Sequence, residues 1–138
     1  MNEFEHNLKL NKVIMAEANK HFDIINQGIE EIETIMVSNG IIRPVAYRFD
    51  TDQTYDYYLG IKKFKGKWKL AYGVALKDQT EITWLSYTET PIETRTELCN
   101  YFEKLYEEVV KSNKLVVTCL SDYSSSVTQI LAKLKGAN

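Results

Sequence analysis

A row of apolar residues begins at Phe4 and advances in alternating steps of four and three positions as far as Met36, and it is the strongest constraint in the sequence. Asn11 is its one polar member. Because an α-helix turns once in about 3.6 residues, this spacing puts the whole row on one side of a helix. Apolar residues beside the row, such as Leu10 and Ile24, widen that side and favour packing on a sheet.

The residues at both ends of this segment are typical of helix boundaries. Asn2 followed by Glu5 can cap the first turn, and Asn39-Gly40 tolerates the left-handed backbone that ends many helices. We therefore predict a helix over residues 3–38. At about 1.5 Å per residue it would be roughly 50 Å long, so it either bends near Gly28 or extends beyond the domain.

Between residues 43 and 88 the apolar repeat changes to two, which is the period of a β-strand. In the clearest strand, large apolar residues alternate with small or cationic ones: Trp68, Leu70, Tyr72, Val74 and Leu76 against Lys69, Ala71, Gly73, Ala75 and Lys77. Polar connections at 50–54, 65–67 and 77–80 divide the region into four strands. Short connections favour a four-stranded antiparallel meander.

Thr90-Pro91-Ile92-Glu93 predicts the start of a second helix, with Thr90 as its cap. The expected buried row of that helix is Leu98, Phe102, Leu105 and Val109. Ser112-Asn113 predicts an interruption, residues 115–120 fit either a strand or a helix, and a last helix is expected over residues 124–135.

The sequence as a whole predicts one α+β domain over residues 1–138. Its expected element order is α-β-β-β-β-α, then a segment that is α or β, then α. The long N-terminal helix and the C-terminal helices would flank the sheet.

The charges nearly balance, with 17 basic and 19 acidic side chains and a net charge of −2, so no overall field draws the protein to nucleic acid or an anionic membrane. No stretch approaches the ~20 apolar residues that cross a bilayer, and residues 1–20 do not resemble a signal peptide. Cys99 and Cys119 match no zinc or redox spacing, and we expect both to pack in the core. We predict a cytoplasmic protein without membrane contact.

No motif identifies a reaction or a cofactor. His6 and His21 lie about 22 Å apart along the predicted helix, too far to share a metal ion within one chain. Zinc sites need three or four convergent ligands. Residues 60–67 have the wrong glycine spacing for a phosphate loop, and Trp68 stands where Ser or Thr is needed. We therefore expect no metal, no cofactor and no catalytic residue.

The face of the sheet that carries small residues is the first candidate binding surface. If Leu70 and its neighbours face the core, Gly60, Ala71 and Gly73 lie on the reverse face, where a ligand or partner could approach the backbone. The side chains expected around them are Arg48, Tyr58, Lys62, Lys69 and Tyr87. Alternatively, a helix of the same chain covers these small residues.

A lysine-rich hairpin is the second candidate surface. Lys63, Lys65 and Lys67 lie in it together with Lys62 and Lys69, and such a patch can bind nucleic acid through phosphates. Lysines at strand edges and turns also deter aggregation, which is the simpler interpretation.

These features favour a non-catalytic binding protein of adaptor or inhibitor type, acting through protein contacts or a small ligand on the sheet face. Its partner is expected to be another protein, or a second copy bound through the N-terminal helix. One alternative is nucleic-acid or nucleotide binding through the hairpin. Another is an enzyme with a dispersed site at His21, Arg48 or the Asp50 loop and an unknown reaction.

Overall fold

The computed structural model describes residues 2–136. Over that range the chain forms a long helix, four strands and a second helical region, which is the predicted α+β arrangement. It divides into two compact units, one ending at Asn39 and the other beginning at Gly40. The prediction of a single domain stays a prediction.

The first unit is helix α1, Glu3–Ser38, and its bounds confirm the predicted range. The Asn2 side chain accepts a hydrogen bond from the backbone N–H of Glu5 at 2.7 Å, which satisfies one of the free donors of the first turn. At the other end Asn39 caps the helix, and Gly40 follows with a φ of 106°. That left-handed conformation suits glycine and turns the chain out of the helix.

The second unit contains four strands: β1 Val45–Thr51, β2 Tyr55–Phe64, β3 Lys67–Leu76 and β4 Thr83–Ser86. They pair antiparallel in chain order, so the predicted meander is confirmed. Lys65 and Gly66 join β2 to β3 with φ values of 50° and 81°. Positive φ at both turn positions gives the two-residue turn whose twist matches the strands it connects.

The core of the second unit lies between one face of the sheet and the helices that follow it. Leu59, Ile61 and Leu70 contribute from the strands and are fully buried. Their helical partners in this core are Leu98, Phe102, Leu105 and Val109, which confirms the predicted buried row. A register shift after Arg48 leaves Phe49 as a bulge, and its ring stacks on Tyr101 at 5.0 Å.

The helical region consists of α2, Ile92–Leu98, a short 3₁₀ turn, and α3, Phe102–Gly136. Thr90 is not the cap that the sequence predicted. Its hydroxyl donates to the carbonyl of Tyr87 at 2.6 Å, and the helix begins after Pro91. Thr90 is buried, so its hydroxyl needs that internal acceptor.

The predicted interruption at Ser112-Asn113 is wrong, because α3 continues through it. Both side chains bond outside the helix: Arg43 donates to the Ser112 hydroxyl at 2.9 Å, and the Asn113 amide donates to the carbonyl of Gly40 at 3.1 Å. Polar groups that find tertiary partners need not compete with the helix backbone. Residues 115–120, which fitted either a strand or a helix, are therefore helical.

None of the helices within residues 2–136 is both long enough and apolar enough to cross a membrane.

Replacing Leu105 by alanine should lower the free energy of unfolding by about 2–5 kcal/mol, because a fully buried side chain is lost and leaves a cavity. The matched control is Leu115→Ala on the same helix, where the side chain is 62% exposed and the expected loss is about 0.5 kcal/mol or less. Urea unfolding of the full chain measures both. Equal losses would mean that α3 does not pack as described.

Candidate functional site

The face of the sheet opposite the helical core carries cations and aromatic rings, and we call it the cation–aromatic face. Strand register brings its members together: Arg48 pairs with Tyr58, Lys62 with Lys69, and Gly73 with Trp84. Because successive residues of a strand point to opposite faces, these side chains lie on the side away from Leu59 and Leu70. The full set is Arg48, Tyr58, Lys62, Phe64, Lys67, Lys69 and Trp84.

Trp84 occupies the space over the small residues of this face. A methyl group added at Gly60 would lie 2.5 Å from the Trp84 ring, and one added at Gly73 would lie 2.8 Å from it and 2.6 Å from Ile82. Both glycines thus make room for the indole. The small residues were expected to receive a ligand or a helix, and a side chain of β4 lies over them instead.

Cations on this face lie against its aromatic rings. The Lys62 ammonium is 5.6 Å from the Trp84 ring centre and 5.5 Å from that of Phe64. Tyr58 and Trp84 are 6.4 Å apart between ring centres. Attraction between an ammonium and ring faces fixes these side chains without neutralising the positive charge.

The cations of this face differ in their neighbours. Lys62 and Lys69 stand directly opposite each other on neighbouring strands, an arrangement in which like charges repel. Arg48, whose side chain is exposed, lies 3.9 Å from the mostly buried carboxylate of Asp56. Ammonium and guanidinium groups are the side chains that bind phosphate and carboxylate groups in proteins.

Tyr87, the fifth side chain expected on this face, does not lie there. It belongs to a 3₁₀ turn, Tyr87–Glu89, that follows β4, and it is buried with its ring 6.2 Å from that of Phe102. Its hydroxyl donates to the carbonyl of Arg95 at 2.9 Å, and burial raises the pKa of Tyr87. The alternation that predicted its direction ends with the strand at Ser86.

The three lysines of the alternative nucleic-acid site are not on one face. Lys63 points to the other side of β2 from Lys62, and its ammonium lies 5.3 Å from the ring centre of Trp68. Lys65 lies in the turn, and Lys67 begins β3 opposite Phe64 on the cation–aromatic face; both are exposed. The hairpin therefore presents lysines on both sides and at its tip.

The acidic loop between β1 and β2 is held by its own hydrogen bonds. Asp52 accepts from the Tyr57 hydroxyl at 2.6 Å and from the backbone N–H groups of Tyr55 and Thr54. These bonds lower the pKa of Asp52, with that from Tyr57 contributing most, and the bond to Asp52 raises the pKa of Tyr57 to about 12. A carboxylate that accepts three donors stabilises a turn, so this loop has a structural role.

The other residues considered for metal binding or catalysis contact a neighbour on the same helix or are exposed to solvent. His21 lies 3.1 Å from Glu17 on α1. Cys99 and Cys119 were expected in the core, but both are exposed free thiols, since their positions on the helices face outward. Among residues 2–136, no group of three or more His, Cys, Asp or Glu side chains is arranged to hold a metal ion.

The first half of α1 carries an exposed apolar surface. Every residue from 2 to 17 is exposed, including Phe4 at 72% and Leu8 at 53%. We call this surface the α1 row. Met15 is its other large apolar member, Asn11 lies within it, and Leu10 and Ile14 lie beside it. Exposed apolar areas of this kind mark contact sites more often than single exposed leucines do.

The second half of α3 carries a similar surface, which the sequence analysis missed. Residues 117–136 are all exposed. Apolar side chains recur from the partly covered Val116 onward in alternating steps of four and three, and we call this set the α3 row: Val116, Leu120, Tyr123, Val127, Ile130 and Leu134. The spacing was visible in the sequence, but a predicted break in the helix divided it.

The chain matches no protein-family model, no curated protein and no solved structure.

Replacing Gly60 by alanine should lower the free energy of unfolding by about 1–3 kcal/mol, because the new methyl group displaces the Trp84 ring. In a Trp84→Ala background the same replacement should cost much less, since the remaining close neighbour is the Val45 carbonyl at 3.0 Å. Urea unfolding of the four proteins of this double-mutant cycle measures the difference. An unchanged cost would show that Trp84 does not rest on Gly60.

Proposed function

We propose that this chain is a non-catalytic protein-binding protein of adaptor or inhibitor type, and that its main contact surface is the α1 row. The observation that carries the proposal is the exposure of an apolar helix face over residues 2–17. Burying that face in a partner would remove apolar area from water, which is the main driving force of association.

The residues beside the α1 row suggest a selective partner. Glu5 and Lys12 each follow a row position directly, so charges of both signs flank the apolar stripe. Flanking charges of this kind determine orientation and partner choice in paired helices, and Asn11 within the row favours one register. The fitting partner presents an apolar helix or groove with complementary charges.

A protein partner is better supported than a small ligand on the sheet. The ligand hypothesis relied on open space over Gly60 and Gly73, and the Trp84 ring lies in that space. The groups considered for an enzyme have other roles as well, since Asp52 holds a turn and Arg48 faces Asp56.

We also propose that the protein acts in the cytoplasm. The proposal is supported by two cysteines that are exposed and unpaired in the structure. Exposed thiols remain reduced in the cytoplasm, whereas oxidising compartments favour disulfides.

The immobilised full chain should capture a stoichiometric protein partner from an extract of its source cells, and Leu8→Glu should abolish that capture. A carboxylate in the middle of the α1 row would have to be desolvated in the complex, which costs more than the contact provides. Captured proteins are identified and quantified by mass spectrometry.

Ala16→Glu is the matched control, because it adds the same charge to an exposed position of α1 outside the row. It should leave capture within about twofold of the unmodified chain, as exposed substitutions away from a contact usually do. If both variants lose the partner equally, or if Leu8→Glu retains it, the α1 row is not the contact.

Nucleic-acid binding through the cation–aromatic face is the second candidate function. The observation that favours it is the position of Lys62, Lys69 and Arg48 beside Tyr58 and Trp84 on one side of the sheet. Proteins that bind single strands combine cations for the phosphates with aromatic rings for the bases.

This candidate predicts that a fluorescent single-stranded oligonucleotide binds with an affinity that falls steeply as salt rises. Lys62→Gln should weaken binding and reduce the salt slope by about 1, because one phosphate contact is lost. Lys63→Gln, the neighbouring change on the opposite face of β2, should have less effect. Salt-independent binding, or equal effects of the two variants, would rule out this face as the nucleic-acid site.

A further inference from the structure

The α3 row offers a second contact surface, separate from the α1 row and with a different flanking chemistry. Between Leu115 and Ala132 the one charged residue is Asp122. The positions directly before and after row members in this stretch are mostly uncharged, with Ser124 and Ser126 near its middle. Lys133 and Lys135, on either side of the last row member Leu134, are the other charges beside the row. In an antiparallel pair these lysines of the two copies lie at opposite ends, so few flanking charges repel each other and few select a foreign partner.

The spacing of the α3 row is the same in both directions. Its steps are four, three, four, three and four, so two copies that run antiparallel and cross near Ser125 bring each row member opposite another. Each layer then combines residues of the two copies: Val116 with Leu134, Leu120 with Ile130, and Tyr123 with Val127.

The local side chains fit this crossing. Tyr123 is the bulkiest row member and is 72% exposed, and its layer lies next to the crossing point. Ser124 and Ser126 flank that point with small side chains, which leave room for the ring and allow close approach of the helices. Leu131 extends the apolar surface beside Ile130 and is exposed as well.

The sheet does not obstruct the pairing. Val116 is the last residue of α3 that is partly covered, and the row continues away from the sheet to Leu134. In an antiparallel pair centred on Ser125, the two Val116 residues lie about 27 Å apart along the axis, so the sheets are at opposite ends.

We propose that two copies of this chain associate through the α3 row as an antiparallel helix pair. Six row members from each copy form a small interface, below the range of about 1,200–2,000 Å² that is typical of stable complexes, and we therefore expect reversible association. The pairing uses no residue of the α1 row.

Sedimentation equilibrium of the full chain should show a reversible monomer–dimer equilibrium. Ile130→Glu should raise the dissociation constant by at least tenfold, because it puts a carboxylate in the interface. Gln129→Glu, which adds the same charge one residue away and outside the row, should leave the constant within about threefold. A strict monomer up to millimolar concentration, or a dimer that Ile130→Glu does not weaken, would overturn the proposal.

The Leu8→Glu variant separates this proposal from the proposed function. It should leave the dimer intact while it abolishes partner capture. Loss of the dimer in Leu8→Glu would instead assign self-association to the α1 row and overturn the role of α3.

Nitroxide labels determine the direction of the two helices. In a Cys99→Ser, Cys119→Ser background, labels at Ser125→Cys and at Ala132→Cys are both on the outer side of the pair. In an antiparallel pair the labels at 132 are separated by about 21 Å along the axis, whereas those at 125 are level. A clearly longer distance at 132 supports the antiparallel pair, and equal distances at the two positions would overturn it.

Discussion

Helix α3 packs on the sheet only in its first turns and then continues well beyond it. The second unit therefore carries a long exposed apolar surface. In its first turns Phe102, Leu105 and Val109 are buried against the sheet. From residue 117 onward the same helix is exposed, yet its apolar side chains recur with undiminished regularity. Most of the stability of a helix in a protein comes from packing of its apolar face, and exposed apolar side chains do not supply it. Contact with another molecule would supply the burial that the sheet does not.

The face of the sheet that the helices leave uncovered is partly covered by a side chain of the sheet itself. Its face opposite the core is covered locally by Trp84, which Gly60 and Gly73 admit against the backbone. The indole then supports Lys62 and Tyr58, so aromatic rings and cations remain together at the surface. The two long helices leave apolar surface exposed, whereas the sheet leaves charge exposed. These surfaces therefore suit different classes of partner.

Much of this fold could be predicted because its local and tertiary signals agree. The bounds of α1 follow from an unbroken row between two capping sequences, and the meander follows from strict alternation. The prediction failed at Ser112-Asn113, because these polar residues bond to Arg43 and Gly40, and such distant partners are not visible in local spacing. Tyr87 was assigned to the wrong environment because alternation was extended past Ser86, where the strand ends.

The candidate site could be predicted only where the strand register that forms it could be predicted. Arg48, Tyr58, Lys62 and Lys69 share a face because their strands pair as alternation suggested. The place of Trp84 over two glycines depends on how far β4 is shifted along β3, and sequence periodicity does not fix that shift. The α3 row was not recognised from the sequence, because the tertiary contacts of residues 112 and 113 are needed to see that the helix continues through them.

Amide hydrogen exchange of the full chain, followed at low micromolar and at near-millimolar concentration, tests most directly whether association completes α3. Slower exchange in residues 117–134 at the higher concentration, with unchanged exchange in β2 and β3, is the result we expect. Exchange in that segment that is equally slow at both concentrations would contradict the account, because the helix would then be stable without a second copy. Equally fast exchange at both would contradict it too, because no association would be protecting the helix.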